Sequence, residues 1–284
     1  MKSLLEKMQQ DLVIQNYSLR TIELYKWHVK AFLNHQAKAA ELITEDDIRD
    51  YLFFVKTEKH YSASNLAQAF SAIKFLFRET VKMPLSLNAL NGPRRGRPLP
   101  LVLSKEEVKQ VLASIGNEKH RMLLQLIYSA GLRLNEGTHL KVNDIDSQRM
   151  TIHVQAGKGN KDRYTLLSKV ALEDLRMYWK RYRPRTWLFP GRQVDQPIAD
   201  TSIQKAFQRA REQAGIRKEV TVHTLRHSFA THLLEQGVNL FTIKELLGHK
   251  TIKTTLIYLH LQHPGAKIIN PLDQLLGVDD EREQ

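Results

Sequence analysis

Six side chains of this sequence are of types that together suit one chemical task. Arg133 stands in SAGLRLNE, Lys158 in the turn GKGNKD, His223 and Arg226 in HTLRH, His249 in LLGHK, and Tyr258 nine positions later in LIYLH. Two guanidiniums, two imidazoles, an ammonium and a phenol are an unusual set for a folding core. They suit cleavage of a phosphodiester by a nucleophile that the protein itself supplies. The transition state gathers charge on the equatorial phosphate oxygens, and the planar, permanently charged fork of Arg meets two such oxygens at once. Arg133 and Arg226 are the candidates for this clamp, and Glu136, three residues beyond Arg133, is spaced to reach back along a helix and orient it. A phenol ionises near pH ~10, so Tyr258 needs a cationic surrounding or a base before it attacks.

Taken singly, none of these residues discriminates. A lone Arg after Gly-Leu is ordinarily a surface residue, and a lone Tyr ordinarily packs. His223 and His227, four apart, have the spacing of a zinc pair, but Thr224 stands where the HExxH pattern needs Glu. GKGNKD lacks the spacing of a phosphate loop and lies between strands. The joint occurrence is what discriminates: GLRxxE, a GKG turn, HxxR, LLGH, then Tyr.

The elements that must position these groups are mostly helical. Residues 1–91 read as helices: Ser18 caps LRTIELYKWHVKAFL, and Thr44 with Asp47 opens a second segment. Leu66, Phe70, Ile73 and Phe77 then make an amphipathic stripe. On another face of that helix, Lys74 and Arg78 are either solvated or phosphate contacts. Residues 92–102 read as a linker, since NGPRRGRPLP holds no helix. Its Arg94, Arg95 and Arg97 are either a solvated run or a strap along a polyanion. Residues 103–264 open with the capping box SKEE at Ser104 and continue through the apolar helix RMLLQLIYSA, which ends at Gly131. Two strands follow, TIHVQ and RYTLL, flanking the GKGNKD turn, and helices resume from Ser168. Residues 265–284 form a tail whose Asn270-Pro271 start and Leu272, Leu275 and Leu276 stripe predict a short helix that must dock, in cis or in trans. The expected fold class is mainly α with a small antiparallel β-sheet, in two domains.

The formal net charge is +13, and it is unevenly placed: 12 Lys/Arg face 10 Asp/Glu in residues 1–92, but 31 face 20 in residues 93–284. That concentration points to a polyanionic partner for the second part. No cysteine is present, which excludes disulfides and thiolate chemistry. MKSLLEKMQQDL has no apolar run of a signal peptide, and no stretch approaches a membrane span. The expectation is a cytoplasmic, nucleoid-associated protein that contacts no membrane.

The motifs resemble the tyrosine recombinases, the phage integrase and Xer-like family, over nearly the whole chain. YSLRTIELY and SASNLAQAFSAIKFLF look like its SAM-like core-binding domain, and LPLVLSKEEV looks like the start of its catalytic domain. VTVHTLRHSFATHLL and NPLDQLL are closest in style to integron integrases. The chain nevertheless leaves no room between Tyr178 and Thr201 for their extra helical insertion, which shifts the expected target from folded single strands to an ordinary duplex core site. The resemblance implies a DNA strand transferase of mobile elements that needs no cofactor and no metal. Tyr258 would form a 3′-phosphotyrosyl bond, His223 would assist proton transfer, His249 would bond a non-bridging oxygen, and Lys158 would protonate the departing 5′-oxygen. Lys161 and Arg163, just beyond the turn, count with Lys74, Arg78, Arg94, Arg95 and Arg97 as expected DNA contacts. The implied partners are double-stranded DNA, three further copies of the chain in a synaptic homo-tetramer, and accessory DNA-bending proteins. The free protein would be a monomer or a weaker oligomer. Two other readings are a DNA-binding regulator that uses the fold without catalysis and a type IB-like relaxing topoisomerase.

Overall fold

Three hydroxyl side chains start helices where the sequence places them. Ser18 accepts from the Thr21 amide at 3.2 Å, Thr44 from Asp47 at 3.3 Å, and Ser104 from Glu107 at 3.1 Å. Asp47 and Glu107 reach back to the cap amides, which closes two orphan donors per box. The structure is a computed structural model that describes residues 3–83, 99–157 and 161–261. Lys158, Arg94, Arg95, Arg97 and the expected tail helix lie outside the described residues, as does the side chain of Lys161.

The chain forms two units, Met1–Arg97 and Pro98–Gln284. The first contains helices α1 (Leu4–Ile14), α2 (Leu19–Gln36), α3 (Glu45–Thr57) and α4 (Ala63–Phe75). Their apolar faces meet around Leu12, Val29, Phe32, Ile48 and Ile73. The expected stripe of the last helix does not run on in α-form. Residues Leu76–Val81 widen into a π-helix, which keeps Phe77 buried but turns residue 78 away from the face it would share with residue 74 in an α-helix. Arg78 there lies 2.5 Å from its neighbour Glu79.

The second unit contains α5 (Lys105–Ala113), α6 (Glu118–Ala130), α7 (Leu134–Thr138), strands β1 (Ile145–Asp146), β2 (Thr151–Gly157) and β3 (Lys161–Leu166), then α8 (Lys169–Tyr182), α9 (Asp200–Gln213), α10 (Val222–Glu235) and α11 (Leu240–Leu247). Two 3-10 turns follow, Ile252–Thr254 and Leu256–Leu261. The sheet is antiparallel in the order β1-β2-β3, with Ile152 opposite Thr165 and Val154 opposite Arg163. Ile152 and Val154 are buried, so their cross-strand partners turn inward with them. The two-residue strand β1 has no sequence signal of its own. Helix α6 carries the centre of the core, with Leu123, Leu124, Leu126 and Ile127 fully buried. Helix α10 is buried nearly all round, polar residues included. No described helix is long and apolar enough to cross a membrane.

Candidate active site

Two glycines make the site geometrically possible. Gly131 ends α6 with φ +61°, and a Cβ there would meet Phe229 of α10 at 2.5 Å. Gly248 ends α11 with φ +62°, and a Cβ would meet Arg163 Cδ at 2.7 Å. Each position needs both the left-handed backbone and the empty space. The carbonyls beside these bends point at one side chain. Arg226, from α10, donates to Gly131 O at 2.6 Å and to Leu247 O at 2.5 Å. It is 1% exposed.

Arg133 is the residue before α7, and its own backbone amide donates to Glu136 Oε2 at 2.8 Å. Its guanidinium returns to Glu136 Oε1 at 2.5 Å. Arg226 Nη1 stands 3.7 Å from Glu136 Oε2. The same carboxylate therefore borders both arginines of the expected clamp. Burial opposes ionisation of Glu136, but hydrogen bonds and charge from Arg163, with Arg133 behind them, outweigh it and hold the carboxyl at about 2. Burial, then the charge of Arg133, presses the Arg226 guanidinium down to about 9, so it stays protonated at neutral pH.

Tyr258 lies in the last described 3-10 turn, with its amide on Thr255 O at 3.0 Å and its side chain 1% exposed. Its hydroxyl is 3.1 Å from His227 Nδ1, and its ring stacks at 6.3 Å on that of His249. His249 Nδ1 pairs with Thr255 Oγ1 at 2.9 Å. Burial first, then the charge of Arg226 and Arg133, lowers His249 to about 3. Burial, then the neighbouring His223 and Arg226, lowers His227 to about 4. Both imidazoles are neutral at neutral pH. Burial also raises the Tyr258 phenol, while Arg226 and then Arg133 pull against it.

Arg133, Arg226, His249 and Tyr258 thus converge. His223 stands one ring away from the phenol: it is exposed and meets His227 edge-on at 4.6 Å. Among the described residues no group of three or more His, Cys, Asp or Glu side chains could hold a metal ion, so the His223–His227 pair gains no third ligand of these types. Arg163 corrects the sequence reading. Its guanidinium turns inward, 9% exposed, and donates to both oxygens of Glu136 at 2.9 and 2.8 Å and to Leu246 O at 2.9 Å. Three of its five N–H groups are thereby spent inside the protein. Strand alternation carried that signal, since Arg163 lies two residues before the buried Thr165. His227 was visible only as a zinc-spaced residue; its contact with a phenol 31 positions away is tertiary.

Residues 102–264 match the phage integrase family, and residues 4–87 match the N-terminal SAM-like domain of phage integrases. The chain belongs to the phage integrase family. Among relatives of this recombinase, y4qK of Sinorhizobium fredii is 40% identical over 262 residues, 92% of this chain and 85% of that protein. The tyrosine recombinase XerA of Thermococcus kodakarensis is 34% identical over 260 residues, 89% of each. Of solved structures, the post-cleavage complex of the XerH site-specific recombinase bound to palindromic difH substrate has a TM-score of 0.74 at 25% identity, covering 93% of this chain and 81% of that one. A lambda integrase tetramer bound to a Holliday junction shares the fold, with a TM-score of 0.73 at 19% identity, covering 94% and 78%. The chain is a site-specific recombinase of the tyrosine class.

Proposed function

We propose that this recombinase cleaves and rejoins duplex DNA through a covalent bond between Tyr258 and a 3′-phosphate. The observation that carries the reading is the phenol's position, hydrogen-bonded to neutral His227 beside His249 and the paired arginines. As the phosphorus–oxygen bond to Tyr258 forms, its proton passes to His227 Nδ1 and the 5′-oxygen departs. His223, edge-on to His227, keeps the assisting role that the resemblance implies, and Lys158 keeps that of proton donor to the leaving oxygen. Arg133 and Arg226 meet the non-bridging oxygens, where charge accumulates. The phosphotyrosyl bond conserves the energy of the broken ester, so attack by another 5′-hydroxyl reverses the step without a nucleotide cofactor. Each Arg226 amino group gives one N–H to a carbonyl and keeps a second for the phosphate, while Tyr258, 1% exposed, reaches the phosphate as the turn at Leu256–Leu261 shifts.

The basic balance of residues 93–284 supports DNA as the substrate. The XerH recombinase bound to its palindromic difH substrate supports DNA as the partner, and the lambda integrase tetramer bound to a Holliday junction supports a four-copy synapse. We assign integration, excision or resolution as the biological outcome, set by how sites are arranged.

Incubation with a nicked duplex of the cognate site, whose short 5′-hydroxyl strand diffuses away after cleavage, traps the adduct. Wild type is expected to accumulate a protein–DNA band and Tyr258→Phe none. An undiminished adduct in Tyr258→Phe excludes Tyr258 as nucleophile.

A further inference from the structure

Glu136 is saturated, and what saturates it is a residue with no place in the chemistry above. A carboxylate offers about four acceptor positions. Here Oε1 takes Arg133 Nη1 at 2.5 Å and Arg163 Nη1 at 2.9 Å. Oε2 takes the Arg133 amide and Arg163 Nη2, each at 2.8 Å. Arg226, the most deeply buried guanidinium of the cluster, is left at 3.7 Å from Oε2, an ion-pair distance but not a hydrogen bond.

We propose that Arg163 is a positioning residue of the recombinase, and that it works by occupying Glu136 so that the carboxylate does not capture the phosphate clamp. The inference rests on the reading of Arg133 and Arg226 as that clamp. Without Arg163, two acceptor positions on a buried anion fall vacant and Arg133 alone pairs its charge, so the carboxylate gains from any further cation within reach. Arg226 Nη1 then needs to travel less than about 1 Å to reach hydrogen-bonding range. Arg133, already on Oε1, gains a second vacant acceptor beside it. An incoming phosphodiester must then compete with a carboxylate for the same two forks. Arg163 is built for the task. Its Nε is tied to Leu246 O at 2.9 Å, and Gly248 leaves the space through which its side chain passes. One side chain of β3 is thereby joined both to the Arg133–Glu136 turn and to the end of α11 that leads into His249. Lys at this position keeps the charge but cannot hold both oxygens and the carbonyl at once.

The experiment measures the single-turnover rate of adduct formation on a saturating nicked site, the affinity for that site, and thermal melting. Four variants are compared: Arg163→Ala, Arg163→Lys, Glu136→Gln, and Arg163→Ala combined with Glu136→Gln. Arg163→Ala is expected to slow adduct formation roughly ten- to a hundredfold, the size of coupling seen within charge networks, with affinity changed less than about twofold. Arg163→Lys should fall between. The decisive arm is the double variant, because Gln still accepts from Arg133 but carries no charge to capture Arg226. Its rate should exceed that of Arg163→Ala at least about fivefold, a coupling inside the range for residues in contact. A double variant as slow as Arg163→Ala, or slower, overturns the proposal in favour of a purely structural role. Lost affinity with an unchanged rate overturns it in favour of a phosphate contact. Should Arg163→Ala fail to fold, the same suppression is read with Arg163→Lys. If Tyr258 proves not to be the nucleophile, suppression is still read on whichever adduct forms, so the two failures remain distinct.

Discussion

In the helical unit, His28 lies buried on α2 at 1% exposure, and neither ring nitrogen has a hydrogen-bond partner among the described residues. In the catalytic unit Arg226 is buried to the same degree, yet it has two carbonyls, and a carboxylate stands 3.7 Å away. The first is a polar group tolerated inside an aromatic core, edge-on to Trp27 at 4.8 Å. The second belongs to a network in which Arg133, Arg163 and Arg226 surround Glu136. Burying such a network is a poor route to stability, since apolar residues of equal volume commonly do as well or better. On the proposed reading its use is chemical: a guanidinium fixed before the phosphate arrives costs no reorganisation during the reaction.

The largest separation between the two units should come from removing Arg226. Arg226→Ala leaves Gly131 O and Leu247 O without a donor and removes one fork of the clamp. Adduct formation on a saturating site should fall roughly a hundred- to a thousandfold, as for loss of one preorganised donor. Arg226→Lys should recover little of this, because an ammonium cannot span the two carbonyls and the phosphate. Single-turnover trapping checks it. A rate within tenfold of wild type would place the clamp elsewhere and would make the buried network in this unit no more functional than His28.

What was legible in the sequence was what is local. Ser18, Thr44 and Ser104 act on residues three positions away, and Arg133 meets Glu136 at the same spacing, so pattern reading reached them. The motif set brought Arg226, His249 and Tyr258 forward without saying how they meet. The inward turn of Arg163 was readable from strand alternation, but its charge beside a basic turn drew the reading outward. Contacts that depend on the packing of α10 against the last 3-10 turn, such as His227 with Tyr258, have no local signature. The π-turn at Leu76–Val81 has none either, because its hydrophobic stripe fits an α-helix equally well.

Acid should separate the units by a smaller margin. Folded His227 titrates near 4 and folded His249 near 3, each because burial disfavours the charged form, against about 6.5 in the unfolded chain. The unfolded state therefore binds more protons below pH ~6.5, so this stability is complete above that pH and is lost as pH falls towards the folded values. Glu136 adds a loss of the same sign only below the usual carboxylate range. Between pH 7 and 5, protection against hydrogen exchange, taken relative to the intrinsic exchange rate at each pH, should fall more in α10 and Leu256–Leu261 than in α3, which contains no histidine. An equal fall in both regions, in a chain that carries His28→Leu, would mean that the site histidines are solvated when folded.

The smallest effect should come from His28, and its sign is the informative part. His28→Leu removes two nitrogens buried without partners, whose desolvation costs about 1–3 kcal/mol. It also forfeits the edge-on contacts with Trp27 and Tyr61, which aromatic pairs value at about 0.5–1.5 kcal/mol. The expected balance is a gain near ~1 kcal/mol in urea unfolding at pH 7, with adduct formation unchanged. Burial lowers the folded pKa of His28, so the wild type loses stability in acid that the variant does not, and the gain should widen at pH 5. A loss instead of a gain would mean that the His28 nitrogens are satisfied in solution. The two units would then bury their polar groups by the same rule, and the contrast between them would rest on Arg226 alone.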